Sequence, residues 1–155
     1  MKIAVGSDHG GYALYRLIID EVAHAGHQAI GVNPAGMAQP DPNDDYPDIA
    51  RFVAARIVNQ ECERGILVCG SGVGAAVAAN KINGIRAGLC HDTYSAHQGV
   101  EHDNINVLCL GARVVGSELA LELVRAFLGA KFTGEERHLR RLKKVLAIES
   151  AEKRN

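Results

Sequence analysis

Cys69-Gly70-Ser71-Gly72-Val73-Gly74 brings a thiol, a hydroxyl and three glycines together within six positions. Glycines let a chain turn sharply and aim successive backbone N–H groups outward. The Ala-rich residues from Val73 onward predict a helix, whose positive end adds to that field. Such a turn cradles an anion, or an oxygen that becomes anionic during a reaction. Cys69 stands at its lip, placed to act as a base or a nucleophile. Two other accounts fit the same residues. A strand cysteine is often a small buried hydrophobe. Gly70-x-Gly72-x-x-Ala75, with Asp92 about 20 residues further on, also fits the loose fingerprint of a dinucleotide-binding turn.

Other polar residues gather where short apolar runs end. Asp8 and His9 follow residues 2–6, His91 and Asp92 follow residues 85–90, and Arg113 follows residues 106–110. His102-Asp103-Asn104 reads as a polar break between a helix and a strand. Asp45 and Tyr46 hang at the end of residues 33–48, the long irregular segment that holds all four prolines; they contact a ligand or simply cap the next helix. Arg137 and Arg141, spaced i and i+4, share one face of the last helix. That face is either a solvated charged surface or a paired-guanidinium clamp for a phosphate.

The elements that must position these residues alternate regularly. Apolar runs at residues 2–6, 27–32, 65–69, 85–90 and 106–110 predict buried strands. Helical spacing covers residues 12–25, 47–59, 73 onward, 93–101 and 117–128, with Gly26 closing the first helix and Ser117 placed to cap the fifth. A last charged helix spans about residues 135–153, with Leu139, Leu142, Val145 and Leu146 on its apolar side. Repeated β-α units predict an α/β fold: a Rossmann-like three-layer α/β/α sandwich with a five-stranded parallel sheet. In such sheets ligands bind beyond the carboxyl ends of the strands, where the polar residues collect here.

The chain has 155 residues, which suits a single domain over residues 1–155. A formal net charge of −1 gives no general attraction to nucleic acid or membranes. There is no long apolar span and no leader pattern. Cysteines 62, 69, 90 and 109 lack paired metal spacing, and read as reduced thiols of a cytoplasmic protein.

The chain resembles the type B ribose-5-phosphate isomerases, within the wider family that includes the subunits of galactose-6-phosphate isomerase. The likeness rests on Ile-Ala-Val-Gly-Ser-Asp-His at the start, Asp45-Tyr46-Pro47, residues 65–74, Ala78-Ala79-Asn80-Lys81 and Gly84-Ile85-Arg86-Ala87. It continues through His102, Asn106-Val107-Leu108, Gly111-x-Arg113 and Gly134-Glu135-Glu136-Arg137-His138. The resemblance implies interconversion of ribose 5-phosphate and ribulose 5-phosphate, a step of the pentose phosphate pathway, without metal or cofactor. It implies that His102 helps open the furanose ring and that Cys69 moves the proton between C2 and C1 through an enediolate. Ser71 would shuttle the proton between O1 and O2, and the N–H groups of Gly70, Ser71, Gly72, Val73 and Gly74 would face the developing charge. Asp8, His9, Asp45, Tyr46, Asp103 and His138 would contact or line the substrate site. Arg113, Arg137 and Arg141 would hold the phosphate, the last two from a partner chain. The C-terminal helix would then pack on that partner in a homodimer, with a tetramer as a further option. Some members carry a Glu base after the glycine turn; Ala75 stands there in this chain, which places it with the Cys-based members. The position after the catalytic His, usually Asn, is Asp103, which accepts hydrogen bonds but cannot donate them. Hexose 6-phosphates such as allose or galactose 6-phosphate are the alternative substrates, and a nucleotide-binding module is the alternative from another class.

Overall fold

The first strand, β1 (Lys2–Ser7), is buried over its last five residues. After a single 3-10 turn come helix α1 (Tyr12–His24), strand β2 (Gln28–Val32), helix α2 (Tyr46–Val58) and strand β3 (Arg64–Cys69). They are followed by α3 (Val73–Ala79), β4 (Ala87–Leu89), α4 (Thr93–Asp103), β5 (Val107–Gly111), α5 (Ser117–Gly129) and α6 (Glu136–Ala151). The computed structural model describes residues 1–32 and 41–151. The first half of the irregular segment at 33–48, residues 33–40, therefore lies outside the described residues. No helix among them is long and apolar enough to cross a membrane.

All strand pairs are parallel, in the order β2-β1-β3-β5-β4. This is the Rossmann-like α/β arrangement expected from the β-α alternation. Alternation along each strand feeds two cores. Ile3, Val5, Ile66, Val68, Leu108 and Leu110 pack against α1, α4 and α5. Ala4, Leu67, Cys69, Val107 and Cys109 pack with α2 and α3 on the other face. A sheet covered on both faces needs strands apolar throughout, which is why they read as unbroken runs.

Register fixes the active edge. Ser7 pairs with Val68 and Cys69 pairs with Gly111, so β1, β3 and β5 end side by side. Chain direction across the sheet reverses between β1 and β3, which leaves a crevice at their carboxyl ends.

Several elements differ from the sequence pattern. The fourth strand is Ala87–Leu89 rather than residues 85–90. It is an edge strand, and side chains take over its start: the Asn80 amide bonds both Ala87 N and Ala87 O, and Asn106 Oδ1 accepts from Arg86 N. His102 and Asp103 are not a break but the last residues of α4, because Asn104 adopts the left-handed conformation that ends it. Gly116, not Ser117, is the N-cap of α5. Asp92 caps α4, its carboxylate accepting from Ser95 N at 2.7 Å and from Ser95 Oγ at 2.8 Å. It is thus engaged with its own helix, which removes the acid that the nucleotide-binding account required.

The last helix touches the rest of the chain chiefly through α4. Its His138 is buried, while Leu139, Val145 and Ile148 remain exposed. Leu142, Val145, Leu146 and Ile148 form one wall of a groove of about 510 Å³ that also includes Asp103.

Candidate active site

At the carboxyl edge of the sheet lies a cleft of about 510 Å³ lined by Asp8, His9, Gly10, Tyr46, residues 69–71, Val73, Gly74, Arg113 and Val114. Each strand end contributes. β3 delivers Cys69 and the glycine turn, and β1 delivers Asp8 and His9. The loop after β5 delivers Arg113, tied to the turn by Ala112 N–H donating to Cys69 O at 2.9 Å and Arg113 N–H donating to Gly70 O at 3.0 Å.

The turn is built for backbone access. Gly72 has φ +80°, and a Cβ there would stand 2.9 Å from the Leu110 carbonyl carbon. Its N–H donates to Cys69 Sγ at 3.0 Å, a donor that interacts more strongly with a thiolate than with a thiol. Val73 N–H donates to Ser71 Oγ at 3.3 Å. Two of the five N–H groups expected in the cradle are therefore engaged within the turn. Those of Gly70, Ser71 and Gly74 have no acceptor among the described residues. Gly74 lies under the Tyr46 ring, whose nearest atom would be 2.8 Å from an added Cβ.

Cys69 is 5% exposed and opens on the cleft. The other three cysteines do not line it, and burial raises the thiols of Cys62 and Cys109 and pushes that of Cys90 up to about 11. Asp8 is 9% exposed, its Oδ1 accepting from Gly11 N at 3.1 Å. Burial raises its carboxyl above the ordinary range, and the nearby Asp44 carboxylate adds to this. The His9 imidazole is raised by its hydrogen bond to Asp44.

Asp44 is the residue that sequence reasoning missed. It accepts from both His9 N at 2.9 Å and His9 Nδ1 at 2.7 Å. Its neighbour Asp45 occupies the N-cap position of α2, makes no side-chain capping bond, and is not among the lining residues. The only available signal was the run of acids before Tyr46, which does not say which one turns inward.

Five other candidate residues lie elsewhere in the chain. His102 lines a separate cleft with Thr93, Tyr94, His97, Gln98 and Glu101. Asp103 belongs to the groove under α6. Arg137 and Arg141 are exposed on α6, with Arg137 Nε donating to Glu135 Oε2 at 2.9 Å. His138 is buried against His102, ring centroids 4.0 Å apart. Among the described residues of one chain, Arg113 is the sole permanent cation lining the Cys69 cleft.

The family model described as Ribose/Galactose Isomerase matches residues 3–145. Ribose-5-phosphate isomerase B of Escherichia coli is 44% identical over 148 residues, 96% of each chain. D-erythrulose-4-phosphate isomerase 2 of Mycolicibacterium smegmatis is 36% identical over 97% of this chain and 99% of its own. Among solved structures, ribose-5-phosphate isomerase B of Clostridium thermocellum superposes with a TM-score of 0.89 at 44% identity, covering 98% of this chain and 99% of that one.

Proposed function

The chain belongs to the ribose/galactose isomerase family, and from this we propose that it interconverts D-ribose 5-phosphate and D-ribulose 5-phosphate. The coarser statement, a sugar-phosphate isomerase, rests on family membership. The proton-transfer chemistry is supported by one observation of the site, a thiol, a hydroxyl and unengaged backbone N–H groups lining one cleft, and the pentose is favoured by relatives named ribose-5-phosphate isomerase B.

In this proposal the Cys69 thiolate removes the proton from C2 of the open-chain aldose. The C–H electron pair forms the C1–C2 double bond, and charge moves onto O1. The N–H groups of Ser71 and Gly74 face that charge, a type of stabilisation worth about 10²–10³ in rate for each donor. The Ser71 hydroxyl carries the proton from O2 to O1, and the Cys69 thiol returns its proton to C1. Asp8, His9, Tyr46 and Arg113 hold the sugar phosphate. In the ring-opening step that precedes this, the C1–O4 bond of the furanose breaks with its electron pair going to O4. His102 gives a proton to O4, and the O1 proton passes to water as the C1 carbonyl forms.

His102, Arg137 and Arg141 do not reach this cleft in a single chain, and one arginine is little charge for a phosphate dianion. We therefore assign these three to the cleft of a second copy, with α6 lying across the boundary. Its exposed Leu139, Val145 and Ile148 support that placement. A tetrose 4-phosphate is the second substrate, favoured by relatives named for D-erythrulose 4-phosphate.

The test is an isomerase assay with ribose 5-phosphate, erythrose 4-phosphate and allose 6-phosphate on the same preparation. Turnover highest on ribose 5-phosphate, and abolished in a folded Cys69→Ala variant, is expected. A higher kcat/KM on another substrate moves the specificity, and an active Cys69→Ala enzyme removes the base.

A further inference from the structure

His102 stands in the last turn of α4 with both its ring and its backbone engaged. The Gln98 side-chain Nε2–H, one helical turn earlier, donates to His102 Nδ1 at 2.7 Å. From α6, His138 Nδ1–H donates to the His102 backbone carbonyl at 3.2 Å, and its ring packs on the His102 ring at a tilt of 45°. His138 is 1% exposed, and its Nε2 makes no hydrogen bond among the described residues. The ring of His102 is thus gripped at Nδ1 and backed on one side. Among the described contacts Nε2 has no partner.

We propose that Gln98 is a positioning residue that holds Nδ1 of His102 through a protonation cycle and so reserves Nε2 for exchange with the substrate. The proposal rests on His102 taking part in opening the sugar ring. Its physical basis is the ambivalence of an amide. The NH2 group of Gln98 donates to the lone pair of a neutral Nδ1. Rotated by a half turn, the same side chain offers its carbonyl to the Nδ1–H of the imidazolium, and to the Nδ1–H that stays on the ring once Nε2 has given its proton to the substrate. The ring keeps one orientation whether it has yet to give up its proton or has already done so. A carboxylate at this position would only accept, and would favour the imidazolium. An aliphatic side chain would leave Nδ1 unpaired.

Other titratable groups surround the pair. Glu101 and His97 lie on the same helix with His97 Nδ1 3.3 Å from Glu101 Oε2. Asp103 follows directly in sequence, and Tyr94 lines the same cleft. From α6 comes His138, and from the residue just before that helix comes Glu135, 3.7 Å from His138 Nε2. None of these bonds Nδ1 of His102, so Gln98 is the side chain to alter.

The experiment combines ¹⁵N-histidine NMR with kinetics on Gln98→Leu, Gln98→Glu and His102→Ala, the last also identifying the ring signals. In the unaltered, substrate-free protein the neutral His102 ring should carry its proton on Nε2. Gln98→Leu should give a mixture of tautomers and lower kcat on ribose 5-phosphate by roughly 10-fold at unchanged KM, part of the 10²–10⁴ that acid–base catalysis supplies. Gln98→Glu should restore a held ring, move its titration to higher pH, and move the pH–rate profile with it. A Gln98→Leu protein with an unchanged tautomer and full kcat, beside an impaired His102→Ala protein, overturns the role of Gln98 and leaves His102 in place. A fully active His102→Ala protein overturns the assignment of His102, and the positioning role with it.

Discussion

Asp44 Oδ1 lies 2.7 Å from Nδ1 of His9, and the same oxygen accepts from the His9 backbone N–H. One carboxylate thus fixes both the ring and the backbone of a cleft residue 35 positions away in sequence. The imidazole titrates above its ordinary value because of this partner. A raised folded-state value means that the pair stabilises the fold fully below the unfolded value of about 6.5. That contribution is lost as pH rises through the folded-state value. Asp44→Asn should lower the His9 titration measured by NMR. The difference in Tm between the two proteins should be larger at about pH 5.5 than at about pH 8.5, on the two sides of the histidine range. A His9 titration unmoved by the substitution would show that the contact does not persist in solution.

Asp8 presents the opposite balance between fold and site. Its carboxyl is raised first by burial and then by Asp44. Ionisation is therefore costly in the folded state, and stability falls as pH rises through the folded value. Asp8→Asn keeps the oxygen that accepts from Gly11 N and removes the buried charge. Thermal melts at neutral pH should show a higher Tm for the variant, with a loss of turnover where the carboxylate contacts the sugar. A lower Tm would mean that the charged form is held by more than the backbone bonds near it.

Two glycines of the turn fail for different reasons when replaced. At Gly72 the left-handed backbone alone costs an alanine about 1–2 kcal/mol, and the added Cβ would press on the Leu110 carbonyl carbon at 2.9 Å. Gly72→Ala should lose that much stability or more in urea titration, along with the aim of its N–H at Cys69 Sγ. Gly26, with φ +78° and nothing within 4 Å of an added Cβ, is the control: Gly26→Ala should show the backbone cost alone and full activity. Gly74→Ala should leave stability closer to normal and displace the Tyr46 ring, which is read as raised KM. Equal losses for Gly72→Ala and Gly26→Ala would remove the packing argument.

The strands and their order of appearance were legible because a sheet buried on both faces demands unbroken apolar runs, and the glycine turn follows directly from one of them. The fourth strand was overestimated because Ile85 and Cys90 are apolar for reasons other than pairing: both are buried against helices beside an edge strand of three residues. His102 looked like loop because polar residues surround it, yet a helix of low apolar content continues through it until Asn104 turns left-handed. Asp44 was invisible for a different reason. Which of several acids reaches a histidine in another loop depends on backbone direction, and spacing does not encode that.

Arg64 separates stability from chemistry. Its guanidinium donates to the carbonyls of Phe127 and Ala130, the latter at 2.8 Å, and stands 5.1 Å over the Phe127 ring. The last carbonyls of a helix have no N–H partners of their own, so this side chain from β3 satisfies the end of α5. Arg64→Met keeps much of the stem and leaves those carbonyls unbonded, at a cost of about 1–3 kcal/mol. Chemical denaturation should show that loss with kcat/KM unchanged, because Arg64 does not line the cleft. A fall in kcat/KM greater than the fall in folded protein would tie this end of the sheet to the site.

The separation of Cys69 from His102 within one chain makes the proposed shared site testable by mixing. Cys69→Ala and His102→Ala proteins should each be inactive alone. In a dimer whose sites pair Cys69 of one copy with His102 of the other, a mixed dimer contains one intact site and one doubly altered site. Unfolding and refolding an equal mixture yields half mixed dimers, so about a quarter of all sites, and of the normal activity, should return. Exposed Leu139, Val145 and Ile148 on α6 give such a dimer an apolar face to close on. Arg137→Ala mixed with Cys69→Ala should show the same recovery, because the phosphate clamp and the base would then also come from different copies. Recovery in neither mixture, with dimers present by sedimentation, would place each site within one chain, and His102 would then need a path to Cys69 across α4 that this fold does not provide.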